Sequence, residues 1–272
     1  FTTLTVVPGV MEYKGAPIQI LDLPGLIEGA SSGKGFGKRI LSVARSADLI
    51  LFVLDVFQPD ILSLLLKEVR GMGIRPDDQP PNVIIEKTMS GGISVNCVVK
   101  LTKMSTRLVK DILHVYGVRN GRIVIREDIV TDQLIDILQA NRVYIPSLTV
   151  LNKIDLVNSG FITQLKSKLN HRFIPVSGDS GINLEVLKET IYNQLNFIRI
   201  YMRPKGGVAD YEEPLIVKNG ALVMDVCNKI HRGLKDEFRW AQVWGKSAKF
   251  GGQKVSLKHS VMDEDVITLI TK

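Results

Sequence analysis

Apolar residues recur along this 272-residue chain with two different spacings, and each spacing predicts one type of secondary structure. Short apolar runs have the length of buried strands. They cover residues 17–21, 49–54, 145–151 and 173–176. Apolar positions three or four residues apart predict helices. These cover residues 60–70, 105–116, 131–139, 162–169 and 184–200, and Thr131 is expected to cap the third of them. Strands mixed with helices in this way indicate an α/β fold.

Residues 76–130 form a separate pattern that predicts a compact ββαβ unit. Strands are expected at 82–87 and 93–101, on either side of a hairpin-like turn at Ser90-Gly91-Gly92. The helix at 105–116 and a strand at 122–126 complete the unit.

The pattern changes again beyond Pro204-Lys205-Gly206-Gly207. A hairpin centred on Asn219-Gly220 is expected to join strands at 215–217 and 221–224, and Asp225 is expected to cap a helix. Three further strands are expected, at 241–244, 253–257 and 266–270. A hairpin, one helix and more strands predict a small ubiquitin-like β-grasp domain.

Composition limits the range of functions. The formal net charge is +7 and the pI is near 9.3. This charge fits an anionic partner such as RNA, and it equally fits an ordinary solvated lysine surface. The longest apolar run is only of strand length, so no membrane partner is expected. Cys97 and Cys227 are isolated and predict free, buried thiols in a cytoplasmic protein, and the four histidines lack metal-ligand spacing.

The stretch Asn152-Lys153-Ile154-Asp155 directly follows the apolar run 145–151. An Asn-Lys-x-Asp turn at the carboxyl end of a parallel strand is suited to bind guanine. The Asp carboxylate accepts hydrogen bonds from the ring N1–H and the exocyclic amine, which adenine does not offer there, so ATP is rejected. The Asn supports the loop, and the Lys stem lies along the base. Taken alone, the stretch also fits a plain polar turn.

Three other segments fit the same chemistry. Asp22-Leu23-Pro24-Gly25 closes the apolar run 17–21, where an Asp holds magnesium and a Gly offers its N–H to a terminal phosphate. Ser177-Gly178 follows the run 173–176, and its backbone N–H groups could contact the guanine carbonyl. A threonine hydroxyl in Phe1-Thr2-Thr3-Leu4-Thr5 could bind magnesium directly. A plain strand-ending turn is the alternative for Asp22-Leu23-Pro24-Gly25, but all four segments stand in the order of GTPase motifs.

Longer segments resemble the developmentally regulated GTP-binding (DRG) proteins of the Obg superfamily. The segments that carry the resemblance are residues 1–5, 8–16, 22–30, 33–37, 91–94, 125–128, 141–146, 230–232 and 243–245. The resemblance implies a P-loop-type GTPase core with an α/β insert and a C-terminal TGS β-grasp domain. It also implies GTP or GDP and Mg²⁺ as ligands, with Thr3 and Asp22 on the metal.

Spacing along the chain sets the expected domain bounds. The spacing from Asp22 to Asn152 exceeds the need of a minimal core by about 60–70 residues. We therefore expect the GTPase core at 1–75 and 131–200, the insert at 76–130 and the TGS domain at 201–272. The phosphate-binding motif G-x-x-x-x-G-K-[S/T] does not occur in the 272 residues. We expect it upstream of Phe1, which would make the core incomplete at its N-terminus and leave the enzyme activity of this chain by itself open.

The expected function is a slow GTPase switch that is cytoplasmic and associated with translation, ribosomes or RNA, with a regulatory protein partner and no DNA. Hydrolysis is expected to be slow because Leu26 follows Gly25, where many GTPases place a water-orienting glutamine. The alternative is a ribosome- or RNA-binding module in which nucleotide is absent or only structural. Four lysines interleaved with Trp244 and Phe250 could form an RNA face or a solvated edge. They are Lys246, Lys249, Lys254 and Lys258.

Overall fold

A computed structural model describes residues 7–23, 43–169 and 171–272. The chain divides into two compact units. The first contains residues 1–25 and 150–272, and the second contains residues 26–149. Helices and strands occur in both units, so the predicted α/β class is confirmed.

The first unit begins with a hairpin of β1 (Val7–Tyr13) and β2 (Ala16–Asp22), which pair antiparallel. The turn residues Lys14 and Gly15 both have positive φ, 51° and 76°, as a two-residue hairpin turn requires. A Cβ on Gly15 would lie 2.6 Å from Cγ of Pro214. Glycine is therefore needed here both for its backbone conformation and for its missing side chain.

The tip of this hairpin packs on a distant part of the same unit. The ring centroids of Tyr13 and Tyr192 lie 5.8 Å apart, and those of Tyr192 and Phe197 lie 6.1 Å apart. Lys14 Nζ lies 3.3 Å from Glu189 Oε1 and 5.6 Å from the Tyr192 ring centre. Aromatic packing, with a partly exposed ion pair beside it, thus fixes the hairpin tip.

The centre of the first unit is a parallel pair of strands with helices after each strand. Val150 and Leu151 of β9 pair with Ile174 and Pro175 of β10. The elements are β9 (Ser147–Asn152), α4 (Ser159–Lys168), β10 (Ile174–Pro175) and α5 (Leu184–Leu195). Val150 and Leu151 are buried, which explains why this run is continuously apolar.

The predicted helix 184–200 is too long. α5 ends at Leu195 because Asn196 adopts a left-handed conformation with φ of 54°. The next residues form β11 (Phe197–Met202), in which Ile198 and Ile200 are buried at a spacing of two. The alternation of buried and partly exposed residues identifies a strand.

A five-stranded mixed sheet follows, in the order β12 (Leu215–Lys218), β11, β15 (Asp265–Thr271), β13 (Phe238–Trp244) and β14 (Gln253–Val255). β11 and β15 are parallel, and the other neighbours are antiparallel. The helices are α6 (Val223–Ile230) and α7 (Leu234–Glu237). Buried residues of the strands and of α6 share one core. This arrangement is the predicted β-grasp fold.

The hairpin predicted around Asn219-Gly220 is wrong in its pairing. β12 pairs with β11, and α6 starts at Val223, so residues 221–224 form no second strand. The carboxylate of Asp225 accepts a hydrogen bond from the N–H of Leu222 at 2.8 Å, and this bond stabilises the start of the helix directly after Leu222. Asp225 therefore lies inside the first turn of the helix and is not its capping residue.

In the second unit, the strand predicted at 49–54 and the helix predicted at 60–70 are confirmed. They are β3 (Ile50–Asp55) and α1 (Ile61–Gly71). β4 (Ile74–Pro76) pairs in parallel with β8 (Val143–Ile145). The buried carboxylate of Asp136 ties these parts together, because it accepts hydrogen bonds from the Arg75 guanidinium at 2.6 and 2.7 Å and from Arg142 Nε at 2.8 Å.

The second unit also contains a three-stranded sheet in the order β5 (Val83–Lys87), β7 (Gly121–Ile125) and β6 (Ile93–Cys97). The helices of this part are α2 (Thr106–Val115) and α3 (Thr131–Gln139). The predicted hairpin pairing at Ser90-Gly91-Gly92 is wrong, since β7 lies between β5 and β6. Of the three strands, β7 has the most buried residues: Gly121, Ile123 and Ile125. The central position in the sheet, between two neighbouring strands, buries these residues best.

Smaller corrections concern one helix start and one cysteine. α3 is capped at Val130, whose N–H is accepted by Gln133 Oε1 at 2.9 Å, and not at Thr131. Both cysteines are free, but Cys97 is exposed and only Cys227 is buried. Within the described ranges, no helix combines the length and the apolar character needed to cross a membrane.

Candidate nucleotide site

The Asn-Lys-Ile-Asp stretch forms a tight turn at the end of β9. Lys153 adopts a left-handed conformation with φ of 66°, and a single 3₁₀ turn follows at Ile154–Leu156. Ile154 is buried and donates its N–H to the Val176 carbonyl at 3.2 Å. Because Ile154 is anchored inward, the neighbouring Asp155 side chain faces solvent.

The loop after β10 is joined to this turn by one hydrogen bond. Asn152 Oδ1 accepts the N–H of Gly178 at 3.0 Å. Ser177 is fully buried, donates its N–H to the Ile182 carbonyl at 3.1 Å, and accepts the Ser180 N–H on Oγ at 3.1 Å. The structure thus brings together Asn152, Ser177 and Gly178 from two separate motifs. We call residues 152–155 and 177–183 together the recognition corner.

Asn183 belongs to the recognition corner and was not singled out by the sequence. Its Nδ2 donates to the Pro175 carbonyl at 2.9 Å, and its φ is 60°. The available signal was weak: a Gly-Ile-Asn sequence directly before a helix, since Asn is among the few residues that tolerate a left-handed backbone.

Asp155 keeps its hydrogen-bonding capacity. Within the described ranges, no donor bonds its exposed carboxylate. A carboxylate with free oxygens can accept two N–H donors from one purine edge. The side chain therefore has the chemistry that guanine recognition needs.

Asp22 is the last residue of β2, and its side chain is exposed. A carboxylate oxygen is a ligand that Mg²⁺ prefers, so this residue fits the metal. Leu23 follows at the strand end. Thr3, Pro24, Gly25 and Leu26 lie outside the described residues. Among the described residues, no group of three or more His, Cys, Asp or Glu forms a candidate metal cluster.

The four predicted lysines are all exposed in the β-grasp, and we call them the lysine strip (Lys246, Lys249, Lys254 and Lys258). Lys254 Nζ lies 4.5 Å above the Trp240 ring, and Lys246 Nζ lies 3.9 Å from Glu264 Oε2. Trp244, which was expected to accompany these lysines, has the guanidinium of Arg203 above its ring at 4.7 Å. Trp240 and Arg203 are therefore aromatic and cationic partners that the sequence did not reveal.

Comparisons with known proteins match three segments. Residues 1–87 match the family described as "50S ribosome-binding GTPase", and residues 90–197 match the C-terminal region of that domain. Residues 198–271 match the TGS domain. These matches define a class, GTP-binding proteins that carry a TGS domain.

Several relatives match over the whole chain. An uncharacterized GTP-binding protein of Methanocaldococcus jannaschii is 51% identical over 100% of this chain and 70% of that protein. GTP-binding protein 1 of Schizosaccharomyces pombe is 46% identical, and developmentally-regulated GTP-binding protein 2 of Homo sapiens is 43% identical, each over 100% of this chain and 74% of the relative. The chain belongs to this family of GTP-binding proteins, which includes developmentally-regulated GTP-binding protein 2.

Proposed function

We propose that this chain acts in a DRG-type GTPase switch, which alternates between GTP- and GDP-bound states and associates with ribosomes or RNA in the cytoplasm. The observation that supports it best is the 3.0 Å bond between Asn152 and Gly178. This bond links the Asn-Lys-x-Asp turn to the Ser-Gly loop, so both can face one purine base. Identity to GTP-binding relatives supports the nucleotide, and the family described as ribosome-binding supports the partner.

Guanine recognition is assigned to Asn152, Lys153, Ile154, Asp155, Ser177 and Gly178. Asp155 accepts hydrogen bonds from the N1–H and the 2-amine of guanine, Asn152 holds the loop, and the Lys153 stem covers the base. The buried Ile154 keeps Asp155 oriented. An adenine base would leave the Asp155 carboxylate with an acceptor opposite it and no donor, so it should be bound far more weakly.

Magnesium and phosphate contacts are assigned to the segments around Thr3 and Asp22-Leu23-Pro24-Gly25. Thr3 would bind Mg²⁺ through its hydroxyl and Asp22 through its carboxylate, directly or by water, while Gly25 offers its N–H to a phosphate. The metal neutralises phosphate charge when bound. With Leu26 in place of a glutamine, intrinsic hydrolysis should be slow, and a regulatory protein partner would supply the missing positioning.

We divide these roles between three domains, a GTPase core at 1–75 and 131–200, an insert at 76–130 and a TGS domain at 201–272. The recognition corner lies in the core, and the lysine strip lies in the TGS domain. A second candidate function is a ribosome- or RNA-binding module in which nucleotide is absent or only structural. The exposure of all four strip lysines favours RNA or ribosome contact in either case.

The test is a titration of the full-length protein with GTP, GDP and ATP in the presence of Mg²⁺. GTP and GDP should bind, and ATP should bind at least about 10³-fold more weakly. Co-sedimentation with ribosomes in each nucleotide state then separates the two candidates. A ribosome affinity that differs between GTP and GDP supports the switch, and an equal affinity supports the binding module.

The magnesium assignment has its own test. Thr3→Ala should weaken Mg²⁺-dependent GTP binding in the full-length protein, and Thr2→Ala should not, because in the Phe-Thr-Thr pattern of the DRG proteins that this sequence resembles the second threonine is the metal ligand. A triphosphate-bound structure with Thr2 on the metal would contradict this register.

A further inference from the structure

The five-stranded sheet of the β-grasp has two faces of different character. The first face carries the alternate residues of β11, β13 and β15 that form the shared core, among them Ile200, Val243 and Ile267. Both α6 and α7 place apolar residues in that core, so they cover this face. Neighbouring residues of a strand point to opposite faces, and the residues between the core positions therefore lie on the second face.

The second face is rich in aromatic residues. Trp240 and Trp244 of β13 both lie on it, and the register places Tyr201 two strands away from Trp244. Lys254 of β14 pairs with Gln242, which lies between the two tryptophans in the sequence. These are the two tryptophans of the 272 residues, and both are partly exposed.

Two cations lie over the rings of these tryptophans. The Arg203 guanidinium carbon lies 4.7 Å from the centre of the Trp244 ring, and Arg203 Nε donates to the Gly207 carbonyl at 2.8 Å. Lys254 Nζ lies 4.5 Å from the centre of the Trp240 ring. Within the described ranges, neither cation has a carboxylate partner. A cation–π contact holds a cation in place and leaves its charge available to an anion.

The other charged side chains of this face are neutralised. The Arg199 guanidinium donates to Asp263 at 2.8 Å and to Glu264 at 2.9 Å. The ring of Tyr211 lies 4.9 Å from that of Tyr201, and acidic residues flank Tyr211 in the sequence. They are Asp210, Glu212 and Glu213. In the described part of the chain, positive charge without an acidic partner is therefore concentrated at the two tryptophans.

Aromatic rings and guanidinium planes on an open sheet face stack unpaired bases, and cations beside them neutralise phosphates. The tryptophans lie roughly 13 Å apart along β13, far enough for two separate bases. The bond to Gly207 already fixes Arg203, so a base that stacks on its guanidinium does not have to immobilise the side chain.

We propose that this face binds unpaired RNA, with one base on the Arg203–Trp244 pair and a second base on the Lys254–Trp240 pair. We call the two pairs the stacking platform. The inference rests on the proposed RNA or ribosome association and adds a part that depends on the bases. The lysine strip by itself recognises only charge, whereas the stacking platform distinguishes unpaired bases from a bare phosphate backbone.

The experiment measures the binding of three labelled probes to the full-length protein by fluorescence anisotropy. The probes are a short uridine oligonucleotide, an abasic ribose-phosphate strand of the same length, and an RNA duplex. The first two carry the same charge, so the ratio of their affinities reports the bases alone. The wild-type protein should bind the uridine strand at least about tenfold more tightly than the abasic strand, as one or two stacked bases require.

Arg203→Lys keeps the charge and removes the guanidinium plane. It should reduce the uridine to abasic ratio about fivefold, the contribution of one stacked base. The salt dependence and the affinity for the duplex, whose paired bases cannot reach the platform, should stay the same. Arg239→Lys is the matched control, because Arg239 is an exposed arginine of β13 outside the platform. It should preserve the ratio.

Lys254→Ala tests the other contribution. It removes a charge and leaves the Trp240 ring, so it should weaken the uridine and abasic strands alike and preserve their ratio. The slope of log affinity against log salt concentration should become shallower by roughly 0.7.

Equal affinity of the wild-type protein for the uridine and abasic strands would overturn the inference and leave RNA association to charge alone. An unchanged ratio in Arg203→Lys would overturn it as well. If that variant with its unchanged ratio also lost co-sedimentation with ribosomes, the face would bind a protein instead of RNA. A wild-type protein that bound none of the three probes and did not co-sediment with ribosomes would contradict the proposed function itself.

Discussion

The recognition corner and the lysine strip are both polar, but they are held in opposite ways. In the corner, Asn152, Ser177 and Asn183 are fixed by hydrogen bonds of 2.9 to 3.1 Å to backbone groups. In the strip, the side-chain ammonium groups are exposed, and their partners in the described part of the chain are one aromatic ring and one carboxylate at 3.9 Å. Fixed groups suit a small ligand with one correct orientation. Exposed charges suit an extended polyanion, for which net charge matters more than direction.

The largest expected effect is the loss of guanine recognition in Asp155→Asn. The amide replaces an acceptor by a group that also donates, so the paired bonds to the N1–H and the 2-amine are lost. GTP affinity of the full-length protein should fall by about 2–3 kcal/mol, measured by isothermal titration.

Asp179→Asn is the matched control for this change. Asp179 is an exposed carboxylate in the neighbouring loop, and its side chain is assigned no role. GTP binding should therefore hardly change. Unchanged GTP binding in Asp155→Asn would remove the central assignment and make the corner an ordinary pair of turns.

A smaller effect is expected in the strip. Reversing Lys249 and Lys254 to Glu should weaken ribosome or RNA association. The slope of log affinity against log salt concentration should also become shallower, by roughly 0.7–0.9 for each phosphate that is no longer neutralised by a lysine. Guanine nucleotide affinity should stay the same, since the two sites share no contacting residue. Co-sedimentation at several salt concentrations, with a nucleotide titration of the same variant, measures both.

Lys229 and Lys235, reversed to Glu, are the control pair, because they are exposed lysines of α6 and α7 outside the strip. The two double variants change the net charge by the same amount. A difference in ribosome or RNA association between them therefore reports the position of the lysines and not the net charge. If the strip variant sediments as the wild type does, the strip is only a solvated edge, and residues 76–130 become the better candidate for docking.

The smallest expected effect concerns a paired charge close to the strip. Burial alone would raise the pKa of Asp263, but hydrogen bonds from the Arg199 side chain and N–H, together with its positive charge, outweigh burial and lower that pKa. The stabilisation is therefore present above the unfolded pKa, near 4, and is lost as pH falls through the lower folded value.

Thermal unfolding of the chain at pH 7 and near pH 2 measures this effect. Asp263→Asn should lower the unfolding temperature at pH 7 and make little difference near pH 2. Lys249→Glu should lower it at neither pH. An equal loss for Asp263→Asn at both pH values would mean that packing, and not charge, explains its contribution.

Local patterns predicted most elements but not their neighbours. Strands β12, β13, β14 and β15 of the β-grasp and the helix at 60–70 follow from spacing alone, whereas β11 was predicted as part of a helix. The hairpins expected at Ser90-Gly91-Gly92 and Asn219-Gly220 were wrong. In each case the strand before the turn pairs with a strand from elsewhere in the chain: β5 pairs with β7, and β12 pairs with β11. A turn signal predicts the turn itself. It does not predict which strand of the chain pairs with the strands on either side of that turn.

The recognition corner shows the same limit at the level of single residues. The order of Asn152, Asp155 and Ser177 predicted that two loops serve one ligand, and the loops are indeed joined. Asn183 was not predicted, because its place in the corner depends on a side-chain hydrogen bond to a backbone carbonyl eight residues earlier, and no spacing rule specifies such a bond. The domain bounds and the roles of the individual site residues stay predictions.

The contact between the β1–β2 hairpin and α5 has a consequence for how the protein is made. Lys14 and Glu189 are separated by 175 positions, so the hairpin leaves the ribosome long before its packing surface exists. At 5–20 residues per second, the delay is roughly 10–35 s. An isolated two-stranded hairpin is only marginally stable in water. During that time Tyr13 lacks the ring it packs on, and the nascent chain must remain free of aggregation until α5 has been synthesised.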